Sequence, residues 1–90
     1  MYGVNKMTNY DFTIVLKDSP ELTVEFADRL FSSGCDDATP GMCCGATILD
    51  FHREAESLED AIRSAVANVN AAGCTAERVE INAENLMPAS

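Results

Sequence analysis

The sequence predicts an α+β fold, one antiparallel sheet with two helices packed on the same face. Three observations predict it. Runs rich in β-branched and aromatic residues alternate with amphipathic runs at helical spacing. The runs follow one another in the order β-α-(β)-β-α-β. The chain has 90 residues, enough for one hydrophobic core and too few for a second. Hydrophobic residues make up 47% of it, more than a disordered acidic tail would carry.

Residues 1–9 show no period and are expected to be a flexible lead-in, with Met7 a second candidate start. Tyr10–Lys17 (YDFTIVLK) reads as a strand in which Phe12, Ile14 and Leu16 alternate with Thr13, Val15 and Lys17. Both parities carry apolar residues, as a central strand does. A first helix is expected to start at Asp18-Ser19-Pro20, with Ser19 as its cap and Pro20 at the first helical position. Leu22, Phe26 and Leu30, with Ala27 and Phe31 beside them, recur at helical spacing, and Gly34 ends the run. Cys35–Gly45 (CDDATPGMCCG) is expected to be a loop or a short, poor strand plus a hairpin turn. Pro40-Gly41 and Gly45 are its turn signals.

Ala46–Arg53 (ATILDFHR) is a strand with Thr47, Leu49 and Phe51 on one face and Ile48, Asp50 and His52 on the other. Ser57-Leu58-Glu59-Asp60 resembles a capping box. Leu58, Ile62, Ala65, Val66 and Val69 then mark the apolar face of a second helix, which Gly73 closes. A last strand lies within Cys74–Asn82, with Val79 and Ile81 inward and Arg78 and Glu80 outward. Residues 10–82 form the expected single domain and 83–90 a C-terminal tail. Two β-α-β halves in so short a chain fit a ferredoxin-like (βαββαβ) or ACT-like two-layer sandwich. Its second strand is expected to be short or absent; without it the sheet has three strands.

Fifteen acidic residues against six basic ones give a net charge of −9. That argues against direct nucleic-acid binding, which needs a basic patch. No apolar run approaches the ~20 residues of a membrane span, and no segment reads as a signal peptide. A cytoplasmic setting follows, with Cys35, Cys43, Cys44 and Cys74 as reduced thiols. The same cysteines with His52 supply enough ligands for zinc on paper, but the paired knuckles of a structural zinc site are missing. No metal is therefore expected; Cys35, Cys43 and Cys44 are the set one would have to use.

Other chemistry is sparse. His52 is the only histidine, and Asp50 on the same strand face is within reach of it. Ser32, Ser33 and Ser57 stand at helix ends, where capping explains them, so no nucleophile is suggested. Asp36-Asp37 reads as turn acids rather than a calcium loop. No phosphate-binding glycine loop or dinucleotide fingerprint is present. Adjacent Cys43 and Cys44 could take a soft metal or act as a redox switch, but no cation nearby lowers their pKa. Neither an enzyme nor a cofactor is expected.

Attention falls on the sheet face that the helices leave open. Thr13, Val15, Lys17, Ile48, Asp50 and His52 are the interface candidates there, with Arg78 and Glu80 beside them. Val15 and Ile48 make a small apolar middle, and Lys17 and Asp50 could pair across strands.

The stretches YDFTIVL, PELT..FADRLFSSGCDDATPG, ILDFHREAESLEDAIRSAVANVNAAG and ERVE resemble the N-terminal domain of small bacterial two-part proteins. In those proteins a C-terminal helix-turn-helix segment follows, and they are classed as DNA-binding regulators or antitoxin-like proteins. The resemblance covers about residues 10–82 and implies no catalytic residues. The sequence stops eight residues after the expected last strand, without the DNA-binding segment, so a stand-alone relative is expected.

The leading functional expectation is a non-enzymatic, regulatory or antitoxin-like interaction module. It would form a homodimer or bind a protein partner through the open sheet face. A small-ligand sensor of the ACT type is the alternative. A third reading is an acidic decoy for a nucleic-acid-binding protein, which the charge supports only as steering.

Overall fold

A computed structural model describes residues 8–81. Six elements follow in order: β1 (Thr8–Leu16), α1 (Val24–Ser32), β2 (Ala38–Cys43), β3 (Ala46–Ala55), α2 (Leu58–Ala71) and β4 (Ala76–Ile81). The four strands form one antiparallel sheet in the order β2-β3-β1-β4. β1 is central, as its two apolar parities imply. It also begins earlier than expected, taking Thr8 and Asn9 from the lead-in. Residues 1–7 and 82–90, which hold the rest of the lead-in, the end of the expected domain and the tail, lie outside the described residues.

Alternation decides which face is buried. Phe12, Ile14 and Leu16 of β1 and Leu49 and Phe51 of β3 point to one side and are almost fully buried. Phe12 and Phe51 stand directly opposite each other, and their rings stack with centroids 5.4 Å apart. Phe26 and Leu30 of α1 and Ala61, Ala65 and Val69 of α2 close over the same side. The fold is thus a two-layer α+β arrangement with one covered and one uncovered sheet face.

α1 starts four residues later than the sequence suggests. Ser19 has φ 41° and Asp18 φ 67°, so neither has the extended backbone of a helix cap. Thr23 does, and its hydroxyl accepts a hydrogen bond from the Phe26 N–H at 3.1 Å. Pro20 lies in the connection, where its carbonyl accepts the hydroxyl of buried Thr47 at 2.6 Å. Of the expected apolar stripe only Phe26 and Leu30 are buried. Leu22 precedes the helix, Ala27 is exposed, and Phe31 is 64% exposed, because five residues past Phe26 is about 140° around the helix.

β2 is present, with six residues. Pro40-Gly41 lies inside it rather than at a turn, and an edge strand is where a sheet tolerates proline. The turn to β3 is Cys44-Gly45, both at positive φ (55° and 81°), the two-residue hairpin whose twist matches its strands.

α2 is capped as expected: the Ser57 hydroxyl accepts from the Asp60 N–H at 3.1 Å. Its buried line, however, is Ala61, Ala65 and Val69. Leu58, Ile62 and Val66 are only half-buried along one flank. The alanines let the helix approach the sheet closely and push the larger residues aside. In β4, Val79 packs on the core, whereas Ile81 is 37% exposed.

Candidate functional site on the uncovered sheet face

Strand register sets out the uncovered face in rows. Gly41, Ile48, Val15 and Arg78 form one row, and Thr39, Asp50, Thr13 and Glu80 the next. His52 and Asp11 stand opposite each other beyond them. Around the first two rows lies a concavity of about 360 Å³, lined chiefly by Thr13, Val15, Ile48, Ala46, Arg78 and Glu80. The thiols of Cys43 and Cys44, at the β2–β3 hairpin, close one end of it.

The interface candidates therefore do not act as one set. Thr13, Val15 and Ile48 line the concavity. Val15 is only 3% exposed although it faces the open side, because Ile48 and Arg78 flank it in its row. Asp50 is held by the Thr13 hydroxyl, which donates to its carboxylate at 2.6 Å. Lys17 lies past the end of β1 and is exposed; register puts Thr13, not Lys17, opposite Asp50, so the expected Lys17–Asp50 pair does not form. His52 pairs with Asp11 across the strands, Nδ1 to Oδ1 at 2.7 Å, rather than with Asp50 two residues away. Its side chain is 65% exposed, in water rather than in a pocket. Arg78 donates from Nε to Glu80 at 3.1 Å and lies 3.7 Å from Glu77.

The cysteines are free thiols. Cys35 is buried in the core under α1, while Cys43 and Cys44 are exposed at the far end of β2. The set Cys35, Cys43 and Cys44 is thus not brought together, and no group of three metal-ligating side chains occurs among the described residues. Cys43 and Cys44 approach to 3.6 Å between Sγ atoms. That hydrogen bond, and then the charge of Cys44, raise the Cys43 thiol above its ordinary range, which works against thiolate chemistry. Burial pushes Cys35 and Cys74 up as well.

The best-built polar cluster lies elsewhere, and sequence reasoning missed it. Arg53 sits at an inward position of β3 with its side chain 11% exposed. Nε and Nη2 donate to the two carboxylate oxygens of Asp37 at 2.7 and 2.8 Å. Nη1 donates to Ser64 (3.0 Å) and Asn68 (2.8 Å) of α2, and Nη2 to the Gly34 carbonyl (2.9 Å). The guanidinium also stacks over the Phe51 ring at 5.1 Å. All five donor positions are used, so this is a structural clip joining β3, α2 and the α1–β2 loop. Burial alone would raise the Asp37 carboxyl, but the Arg53 hydrogen bonds and charge outweigh it and hold Asp37 below the usual carboxylate range. A signal was present: an arginine in phase with Thr47, Leu49 and Phe51. Gly34 fits the same cluster, for its φ is +98° and a side chain there would meet the Asn68 amide at 2.8 Å.

No family model, curated protein or solved structure matches the chain. No helix among the described residues is long and apolar enough to cross a membrane.

Proposed function

We propose that the protein is a non-enzymatic interaction module whose uncovered sheet face docks a protein, either a second copy of the chain or another partner. The observation that carries this reading is the concavity on that face, with an apolar floor of Val15 and Ile48 and a charged rim of Arg78 and Glu80. The finer fold assignment proposed with it is a ferredoxin-like sandwich, supported by the element order and by both helices lying on one face. A regulatory or antitoxin-like setting rests on the sequence resemblance alone. A second reading, a small effector such as an amino acid in the same concavity, is favoured by its volume, which falls in the lower part of the range of small-molecule sites.

The test is native mass spectrometry under reducing conditions on the wild type and Ile48→Glu. Ile48 is the residue to change, because a charge at buried Val15 would unfold the chain rather than probe a surface. A bound protein that Ile48→Glu releases supports docking. A small-molecule mass that Ile48→Glu releases supports the effector reading. Identical spectra for the two proteins overturn both.

A further inference from the structure

The two edges of the sheet are not equivalent. The phase of the hydrogen-bond ladder shows why. His52 donates its backbone N–H to the Asp37 carbonyl at 3.1 Å, so this opposed pair is of the hydrogen-bonded kind. Alternation along an antiparallel ladder then turns the backbone groups of Thr39, Gly41 and Cys43 toward β3, and those of Ala38, Pro40 and Met42 outward. The outward edge of β2 is blunted. Pro40 has no N–H, and the Ala38 N–H is already given to the Cys35 carbonyl at 3.1 Å.

The same phase, carried through β3 and β1, turns Arg78 and Glu80 of β4 toward β1 and leaves Val79 and Ile81 facing outward, up to a register shift that gives Glu77 no opposite residue on β1. No proline interrupts that edge, and no strand pairs with it among the described residues.

We infer that two copies of the chain join edge to edge through β4, antiparallel about a two-fold axis at Val79, into one continuous eight-stranded sheet. Charge selects this register over its neighbours. Pairing Val79 with Val79 of a second copy sets each Arg78 opposite Glu80 of the other. A shift of one pair either way sets Arg78 against Arg78, or Glu80 against Glu80, and like charges directly opposed are unfavourable. The helix layer agrees. Ser64 and Asn68 of α2 point toward β3 and the α1–β2 loop, where Arg53 donates to both and the Asn68 amide lies against Gly34. The opposite flank, Leu58, Ile62 and Val66, therefore faces the β4 side and stays half-buried. In the joined sheet the two flanks meet across the axis. The uncovered faces become one broader surface, so this inference extends the docking reading without depending on which partner that face takes.

Sedimentation equilibrium and amide hydrogen exchange test it on the whole chain. The wild type is expected to dimerise at high micromolar concentration, with the Val79 and Ile81 amides protected there and exchanging on dilution. Arg78→Glu should weaken the dimer about tenfold or more. Adding Glu80→Arg to it should restore the dimer, and because the same two side chains rim the uncovered face, protection of the Val79 amide is what assigns the contact to the edge. A wild type that stays monomeric overturns the inference, as does a dimer whose Val79 amide exchanges freely or one that Arg78→Glu leaves intact. A dimer that Ile48→Glu dissociates and Arg78→Glu does not would place the second copy on the uncovered face, sparing the docking reading and refuting this one.

Discussion

Arg53 and Arg78 are the same residue in the same sheet, each beside carboxylates, yet they do different work. Arg53 is 11% exposed and spends its planar fork on Asp37, with Ser64, Asn68 and Gly34 taking the remaining donors. Arg78 is 58% exposed and meets Glu77 and Glu80 at longer range on the outermost strand. The difference teaches that an ion pair in this fold takes its meaning from its surroundings. Where water is excluded and every donor is satisfied, the arginine fixes how layers pack. Where water is present, the pair contributes little to folding and the charge is free to choose partners.

The largest effect follows from breaking the inner cluster. Arg53→Ala leaves the Asp37 carboxylate half-buried without its counter-charge and strips α2 of two side-chain bonds. It should lower unfolding stability by about 3 kcal/mol. In a domain of this size that is a fall in Tm of roughly 12–24 °C. Arg53→Lys should recover only a minor part, since an ammonium cannot reproduce the bidentate fork. Urea denaturation of the three proteins checks this; a loss under about 1 kcal/mol for Arg53→Ala would mean that the cluster only decorates the fold.

The middle effect sharpens the comparison through pH. Asp37 titrates lower in the folded chain than in the unfolded one. The unfolded chain therefore binds the proton more readily, and acidification favours unfolding. The stability Asp37 contributes is fully present above the unfolded carboxylate range, near pH 4, and is lost as pH falls through the lower folded value. Asp37→Asn should thus be less stable than wild type by about 2 kcal/mol at neutral pH. The gap should close steadily below about pH 4. Denaturation curves for the pair at several pH values give the answer, and a gap that does not change with pH would remove the charge from the explanation.

Much of this architecture was legible beforehand, and the reasons are specific. Period-two alternation in Tyr10–Lys17 and Ala46–Arg53 is tied to which face is buried, so β1 and β3 were readable residue by residue. Ser57 and the glycines after each helix carried local chemistry that the fold respects. What escaped was decided by tertiary contact. Thr23 rather than Ser19 caps α1 because Pro20 is tethered to Thr47 on another strand. Pro40-Gly41 looks like a turn until β2 is known to lie at an edge, and a proline there loses no ladder bond. On the uncovered face, Thr13, Val15 and Ile48 were found by parity, but the pairing of Asp50 with Thr13 and of His52 with Asp11 depends on strand register. Arg53 shows a different gap: a charge at an inward position reads as a strand end until its partners from α2 and the α1–β2 loop are seen.

The smallest expected effect concerns Arg78, and it separates folding from assembly. Arg78→Ala removes a guanidinium that is mostly in water and leaves Glu77 and Glu80 solvated. At dilutions where the chain is monomeric, its stability should change by no more than about 0.5 kcal/mol, several times less than at Arg53. At concentrations where copies associate, the same substitution should lower the apparent Tm further, because a dimer that is no longer formed no longer stabilises the folded state by mass action. Thermal melts of wild type and Arg78→Ala across a wide concentration range measure both terms. Curves that stay parallel at every concentration would make Arg78 a solvated charge and nothing more, whereas curves that diverge as concentration rises would show that the exposed pair matters to the assembly while the enclosed one matters to the fold.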